Sequence, residues 1–171
     1  MVRHGETDKN LLGLIQGQTE SKLTEKGIEE AKKIKDLVSS LDVDIVVSSP
    51  LSRALDTAHL ITNKEVIVDD RLIERDYGLS EGTLPNDDFT KKYWDFKLNT
   101  NMNNVEEVKH LLSRVSDFVE DMRLKYPDKK ILVVSHSGVL RALHYVINGI
   151  PEDGDLLKIE IPNLRIIEYD I

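Results

Sequence analysis

Ile131-Leu132-Val133-Val134-Ser135-His136-Ser137-Gly138 holds the clearest buried strand of the chain. Its first four residues are apolar without alternation, as expected of a strand covered on both faces. The run stops at a polar Ser-His-Ser turn. A helical stripe follows through Val139, Leu140, Leu143 and Ile147, with Gly149 to close it. The same grammar recurs upstream. Ile45-Val46-Val47 runs into Ser48-Ser49-Pro50, where Ser49 suits an N-cap and Pro50 a first helical position. The helix there carries Leu51, Ala54, Leu55, Ala58 and Ile61. Val66-Ile67-Val68 reads as a third strand, and Met1-Val2 as the end of another. A buried strand usually runs for about 5–6 residues. Either this first strand is unusually short, or the natural chain starts a few apolar residues earlier.

Two longer helical stripes complete the pattern. Thr24 caps a helix with Ile28, Ala31, Ile34, Val38 and Leu41 on one side, and Val105 to Lys125 is amphipathic through Val108, Leu112, Val115, Val119 and Met122. Leu157 to Ile161 and Leu164 to Tyr169 read as two strands joined at Pro162-Asn163. Strands separated by helical crossovers imply an α/β fold: a three-layer sandwich with a mostly parallel sheet and helices on both faces.

In such a sheet, ligands bind beyond the carboxyl ends of the strands. Arg3-His4-Gly5-Glu6-Thr7 follows the first strand, and it has three readings: a phosphoryl acceptor, a metal ligand, or a polar turn. Arg53 sits in the first turn of a helix, where the dipole favours anions, so its charge suits an anion held by helix N–H groups. After the third strand come four acids, Asp69, Asp70, Glu74 and Asp76, which spacing alone does not separate. His136 follows the last strand. Two arginines, two histidines and a carboxylate on one edge fit a phosphate dianion. Zinc on His4 and His136 would be repelled by both arginines and lacks a third ligand at a familiar spacing, so no metal is expected. Asn10, Gln16 and Gly17, in the loop from Thr7 to Gln18, are candidate substrate contacts, although the amides equally suit a role in satisfying loop backbone.

Bulk properties narrow the class. The chain has 171 residues, 40% of them hydrophobic and 32% charged, with a net charge of −8 and no cysteine. That length suits one domain spanning 1–171, and the charge argues against nucleic acid or an anionic membrane as partner. A thiolate metal site, a cysteine nucleophile and disulfides are excluded. No apolar run approaches the ~18 residues of a membrane span, and the N-terminus lacks an apolar signal region, so a cytoplasmic location is expected.

Five ordered blocks then resemble the histidine phosphatase superfamily, the phosphoglycerate-mutase-like proteins. They are Arg3 to Thr7 with Asn10; Ile15-Gln16-Gly17 before Leu23 to Gly27; Ser48 to Ala54 with Thr57-Ala58; Leu72 to Gly78 with Glu81-Gly82; and Val134 to Arg141. The resemblance implies a phosphoglycerate-mutase-like fold and a metal-independent phosphomonoesterase that needs no cofactor and acts on a small soluble phosphate ester. It implies that His4 becomes a phosphohistidine, that Arg3, Arg53 and His136 hold the transferred group, and that Glu74 is the proton donor among the four acids. Asn10, Gln16, Gly17 and Ser137 would line the pocket. Two features depart from the family: Asn103-Asn104-Val105 stands where many relatives have Gly-Glu-Ser, and Ser137 where they often have glycine. The stretch 83–104 reads as a short lid. It offers Lys91, Lys92 and Lys97 but no arginine, which favours hydrolysis over a phosphoglycerate mutase reaction. Its Phe89, Tyr93, Trp94 and Phe96 suit packing more than ligand contact. A non-catalytic phosphate-binding module is the remaining alternative, and oligomeric state is left open.

Overall fold

Alternation along two short strands sets the layers. In the computed structural model, which describes residues 1–171, β2 is Ile45–Ser48 and β4 is Ile131–Ser135. Val46, Leu132 and Val134 point into one apolar cluster, whereas Val47 and Val133 point into the other. Successive strand residues face opposite ways, so a fully apolar run needs cover on both sides. Helices α2 (Glu25–Lys33), α3 (Lys35–Ser40) and α4 (Ser52–Ile61) supply Ala31, Val38, Ala54, Ala58 and Ile61 to the first cluster. Helices α6 (Val108–Lys125) and α7 (Ser137–Asn148) supply Val108, Leu111, Val115, Phe118, Leu140 and Leu143 to the second.

The sheet is wholly parallel in the order β1-β4-β2-β3, with β1 at Val2–Arg3 and β3 at Val66–Val68. The ladder continues past the strand ends: His4 N donates to Ser135 O (3.0 Å), Ser49 N to Val134 O (3.0 Å) and Asp69 N to Ser48 O (3.0 Å). Main-chain pairing therefore fixes where the first residues beyond each strand stand. Between β3 and α6 the chain is irregular, with 3₁₀ turns at Asp70–Leu72, Gly78–Ser80 and Met102–Asn104 and the helix α5 at Asp87–Tyr93.

Five local expectations change. The loop after Thr7 contains α1 (Asp8–Leu11), held by a reciprocal Thr7–Asn10 capping box. The helix after Thr24 divides at Ile34, whose N–H turns back to Ala31 O. Helix α4 starts at Ser52 rather than Pro50, because the Ser49 hydroxyl accepts from Leu51 N and is also engaged by His136. Helix α6 starts at Val108, since Asn103 and Asn104 take positive φ and Glu107 is non-helical. The tail makes no hairpin: Leu156–Lys158 is a 3₁₀ turn, while Leu164 N and Ile167 N donate to Arg3 O and Met1 O across β1.

Candidate active site

His4 stands one residue beyond β1 and is 2% exposed. Its Nδ1 lies 2.8 Å from Gly5 O, and a carbonyl only accepts, so Nδ1 carries the hydrogen. In the neutral ring Nε2 then keeps its lone pair. The ring does stay neutral: burial, followed by the charges of Arg3 and Arg53, holds its pKa well below 6.5. Thr57 ties this turn to α4, accepting from Gly5 N (3.0 Å) and donating to Arg53 O (2.7 Å).

His136, the residue before α7, brings its ring centroid to 5.2 Å from that of His4. Burial, then His4 and the two arginines, also lowers its pKa well below 6.5. Its Nε2 meets Ser49 Oγ at 2.6 Å, and its Nδ1 has no partner. With Ser49 donating to Nε2, Nδ1–H is the free donor.

Arg53 reaches across from α4 to Gly17 O (2.7 Å) and Thr19 O (2.9 Å). Glu81 shapes the loop that presents those carbonyls, accepting from Gln18 N, Thr19 N and Tyr77 N. Gly17 is required there: φ is +53°, and a Cβ would lie 1.8 Å from Glu81 Oε1. Arg3 Nη1 donates to Ile161 O (2.9 Å) in the tail, and Asn163 Nδ2 donates to His4 O (2.7 Å). Glu74, 7% exposed, accepts from Arg75 N (2.8 Å) and from Gly138 N (3.2 Å) at the start of α7. A Cβ on Gly138 would stand 2.4 Å from the same carboxylate.

Buried polar atoms are nearly always paired. Five side-chain atoms here are not: Arg3 Nε, Arg53 Nε, His136 Nδ1, Arg141 Nε and Tyr145 Oη. The first three are donors on residues grouped around His4, the arrangement a tetrahedral oxyanion would complete. No group of three His, Asp or Glu side chains is arranged to hold a metal ion.

A family model of the histidine phosphatase superfamily (branch 1) matches residues 1–171. The chain belongs to that superfamily. This histidine phosphatase is 38% identical over 152 residues to an uncharacterized phosphatase PhoE of Bacillus subtilis, covering 87% of this chain and 76% of the relative. It is 34% identical over 173 residues to a metal-independent phosphoserine phosphatase of Arabidopsis thaliana, covering 94% and 73%. The phosphoserine phosphatase of Entamoeba histolytica, solved with phosphoserine, superposes with a TM-score of 0.83 at 28% identity, over 95% of this chain and 85% of that one. Relatives named as phosphoglycerate mutases also match. Fold and family together make this histidine phosphatase a phosphoric monoester hydrolase with a phosphoglycerate-mutase-like α/β fold.

The five residues singled out from sequence, Arg3, His4, Arg53, Glu74 and His136, come together at the carboxyl edge of the sheet. Of the other four, Asn10 and Gln16 use their carbonyl ends within the loop. Asn10 Oδ1 accepts from Thr7 N, and Gln16 Oε1 from Thr7 Oγ1 and Ser21 Oγ. Gly17 holds Arg53 through its carbonyl, and Ser137 opens α7 half-exposed beside His136. Sequence reading missed Ser49 as a partner of His136, Glu81 as the loop clamp, and Asn163. The first two carried a weak signal as polar residues inside motif blocks. Asn163 carried none, being 159 positions from His4.

No helix is long and apolar enough to cross a membrane.

Proposed function

We propose that the protein hydrolyses a small phosphate ester through a phosphohistidine on His4. The observation that carries this reading is the fixed tautomer of His4, whose ring is buried beside that of His136 and within the fields of Arg3 and Arg53, three residues that each keep an unpartnered buried donor. In the first step the Nε2 lone pair attacks phosphorus and the ester P–O bond breaks. Arg3, Arg53 and His136 Nδ1–H hold the equatorial oxygens, whose charge dominates phosphoryl transfer. Glu74 gives its proton to the departing oxygen, then takes one from the water that attacks the phosphohistidine and frees inorganic phosphate. Asn10, Gln16 through its amide nitrogen, Gly17 and Ser137 complete the pocket wall.

The segment 83–104 acts as a lid in this scheme. A mutase must grip a second anionic end of its substrate while it reorients. Lys91, Lys92 and Lys97 are exposed point charges without the paired fork of an arginine. Hydrolysis is therefore the main reaction. The names of the relatives make phosphoserine the first substrate to try.

The test measures phosphate release from phosphoserine and interconversion of 2- and 3-phosphoglycerate on one preparation, with EDTA present and absent. The expected result is release well ahead of interconversion, unaffected by EDTA, with an acid-labile phosphoenzyme trapped on quenching. Interconversion outpacing release would overturn the assignment.

A further inference from the structure

Glu74 has to keep its carboxyl at one point to give and take a proton, yet residues 74–77 belong to neither helix nor strand. The hydrogen bonds from Arg75 N and Gly138 N fix the carboxylate end. They do not fix the main chain that carries it. Glu106, just ahead of α6, holds that main chain with its amide, its carbonyl and its side chain. Its N–H donates to Asp76 O (2.8 Å), and its carboxylate accepts more loosely from Asp76 N (3.4 Å). Its carbonyl accepts from Arg75 Nε (2.9 Å) and Nη2 (2.6 Å). Arg75 cannot swing away, because it is fully buried over Trp94 and gives Nη1 to Tyr93 O (2.7 Å). The two residues that follow Glu74 are thus both tied to Glu106.

The Glu106 side chain is anchored in turn from α6. Arg114 gives Nε to Oε1 (2.8 Å) and Nη2 to Oε2 (3.0 Å), a paired fork that sets the plane of a carboxylate as well as its distance. His110 Nδ1 lies 2.7 Å from Oε1. Burial pushes the Glu106 carboxyl up, but the hydrogen bonds from Arg114 outweigh it and hold the pKa below its ordinary value. Arg114 also gives Nη1 to Arg71 O (2.5 Å). One ion pair therefore grips the segment on both sides of Glu74, at Arg71 and at Asp76. Helix α6 packs against α7, and α7 supplies the Gly138 N–H that meets the Glu74 carboxylate. Main chain and carboxylate are referred to the same helix pair.

We infer that Glu106 is a positioning residue for the proton donor, holding the main chain of Glu74 where its carboxyl meets the leaving oxygen. This rests on the reading of Glu74 as that donor. The proton still passes from Glu74 to the ester oxygen, and Glu106 takes no part in bond making.

Leaving groups that need a proton report on Glu74. Phenyl phosphate and p-nitrophenyl phosphate present the same ring, but phenolate is far more basic, so the first depends much more on a donor. Their ratio of kcat/KM reads the step in which the ester bond breaks. E74Q should cost phenyl phosphate at least about a hundredfold and p-nitrophenyl phosphate about tenfold or less. E106Q sets an amide NH2 among the N–H donors of Arg114 and Asp76 and so loosens the segment. It should lose about 10- to 100-fold on phenyl phosphate, as expected of a reacting group displaced by about 1 Å, and stay within about threefold on p-nitrophenyl phosphate. V119A, at a buried position on the same helix, should lower the thermal midpoint and leave the ratio unchanged. R114K keeps the charge but breaks the fork, and should skew the ratio in the same direction, which decides the matter should E106Q not fold. Equal losses on both esters, or no loss, in these two variants overturn the inference. If E74Q itself leaves the ratio unchanged, Glu74 is not the donor, and that reading falls and takes this inference with it.

Discussion

Around His4 the functional side chains hang from strand ends and helix starts, and all but the half-buried Arg3 leave almost no surface to solvent. Each is held by a main-chain group: Gly5 O for His4, Gly17 and Thr19 O for Arg53, Ile161 O for Arg3, Gly138 N for Glu74. The segment 83–104 is built differently. It has one helix of seven residues, left-handed backbone at Asn99, Asn103 and Asn104, and an exposed Leu84, Phe89 and Leu98. Its two buried residues are Tyr93 and Trp94, sealed beneath Arg75 and Arg141 or beside Ser80. The difference teaches a division of labour. Parallel-sheet pairing sets the geometry of phosphoryl transfer, and a loosely buried loop is free to take whatever shape the alcohol demands.

If that division is real, the largest losses come from the strand-end half. His4→Ala should lower turnover by at least about a thousandfold, since no other nucleophile is placed there, and should abolish the trapped phosphoenzyme. Retained phosphoenzyme would put the nucleophile elsewhere. Gly17→Ala is next. Its Cβ must push Glu81 aside, so the carbonyls that aim Arg53 shift, and misplacement of about 1 Å costs on the order of a hundredfold in rate. The thermal midpoint separates this from unfolding. An active Gly17→Ala protein would show that Arg53 does not depend on that loop.

The same division explains what the sequence disclosed. Strand ends announce themselves, because an apolar run broken by Ser-His-Ser or Arg-His-Gly leaves few other roles for those residues. The parallel sheet, its two covered faces and the grouping of Arg3, His4, Arg53 and His136 at its edge were therefore legible. Which acid mattered was not, because Glu74 is distinguished from Asp69, Asp70 and Asp76 only by Gly138, a contact across 64 residues. The tail was misjudged for a related reason. Leu164 to Ile167 has the composition of a strand, but β1 took it as partner instead of Leu157 to Ile161, and no local pattern encodes that choice.

The pH dependence sharpens the comparison at a smaller scale. Both central histidines are held neutral, with pKa values well below 6.5 in the folded protein and near 6.5 when unfolded. The unfolded chain thus binds more protons below pH 6.5, and folding stability falls as pH drops through that value. Each buried histidine should cost up to about 1.4 kcal/mol for every pH unit below it. Denaturant melts at pH 7.5, 6.5 and 5.5 should show the decline, and H136Q should lose roughly half of the histidine-linked part. Identical pH slopes in the two proteins would mean that His136 is charged in the fold.

The smallest expected effect belongs to the loop half. Phe89 is 39% exposed and lies 6.3 Å, centroid to centroid, from Tyr93. The Tyr93 hydroxyl is already fixed by Ser80 (2.7 Å) and Asn103 (2.9 Å), so it does not need Phe89 to stay in place. Phe89→Ala therefore removes a partly solvated ring from the surface and should cost about 1 kcal/mol or less, well short of the 3–5 kcal/mol for a core phenylalanine. Turnover of p-nitrophenyl phosphate should stay within about twofold, because nothing that holds the phosphoryl group depends on that ring. Any change should fall on KM for bulkier esters, through the shape of the loop. A tenfold drop in kcat with KM unchanged would place Phe89 in the chemistry itself, and the boundary drawn between strand ends and loop would then be in the wrong place.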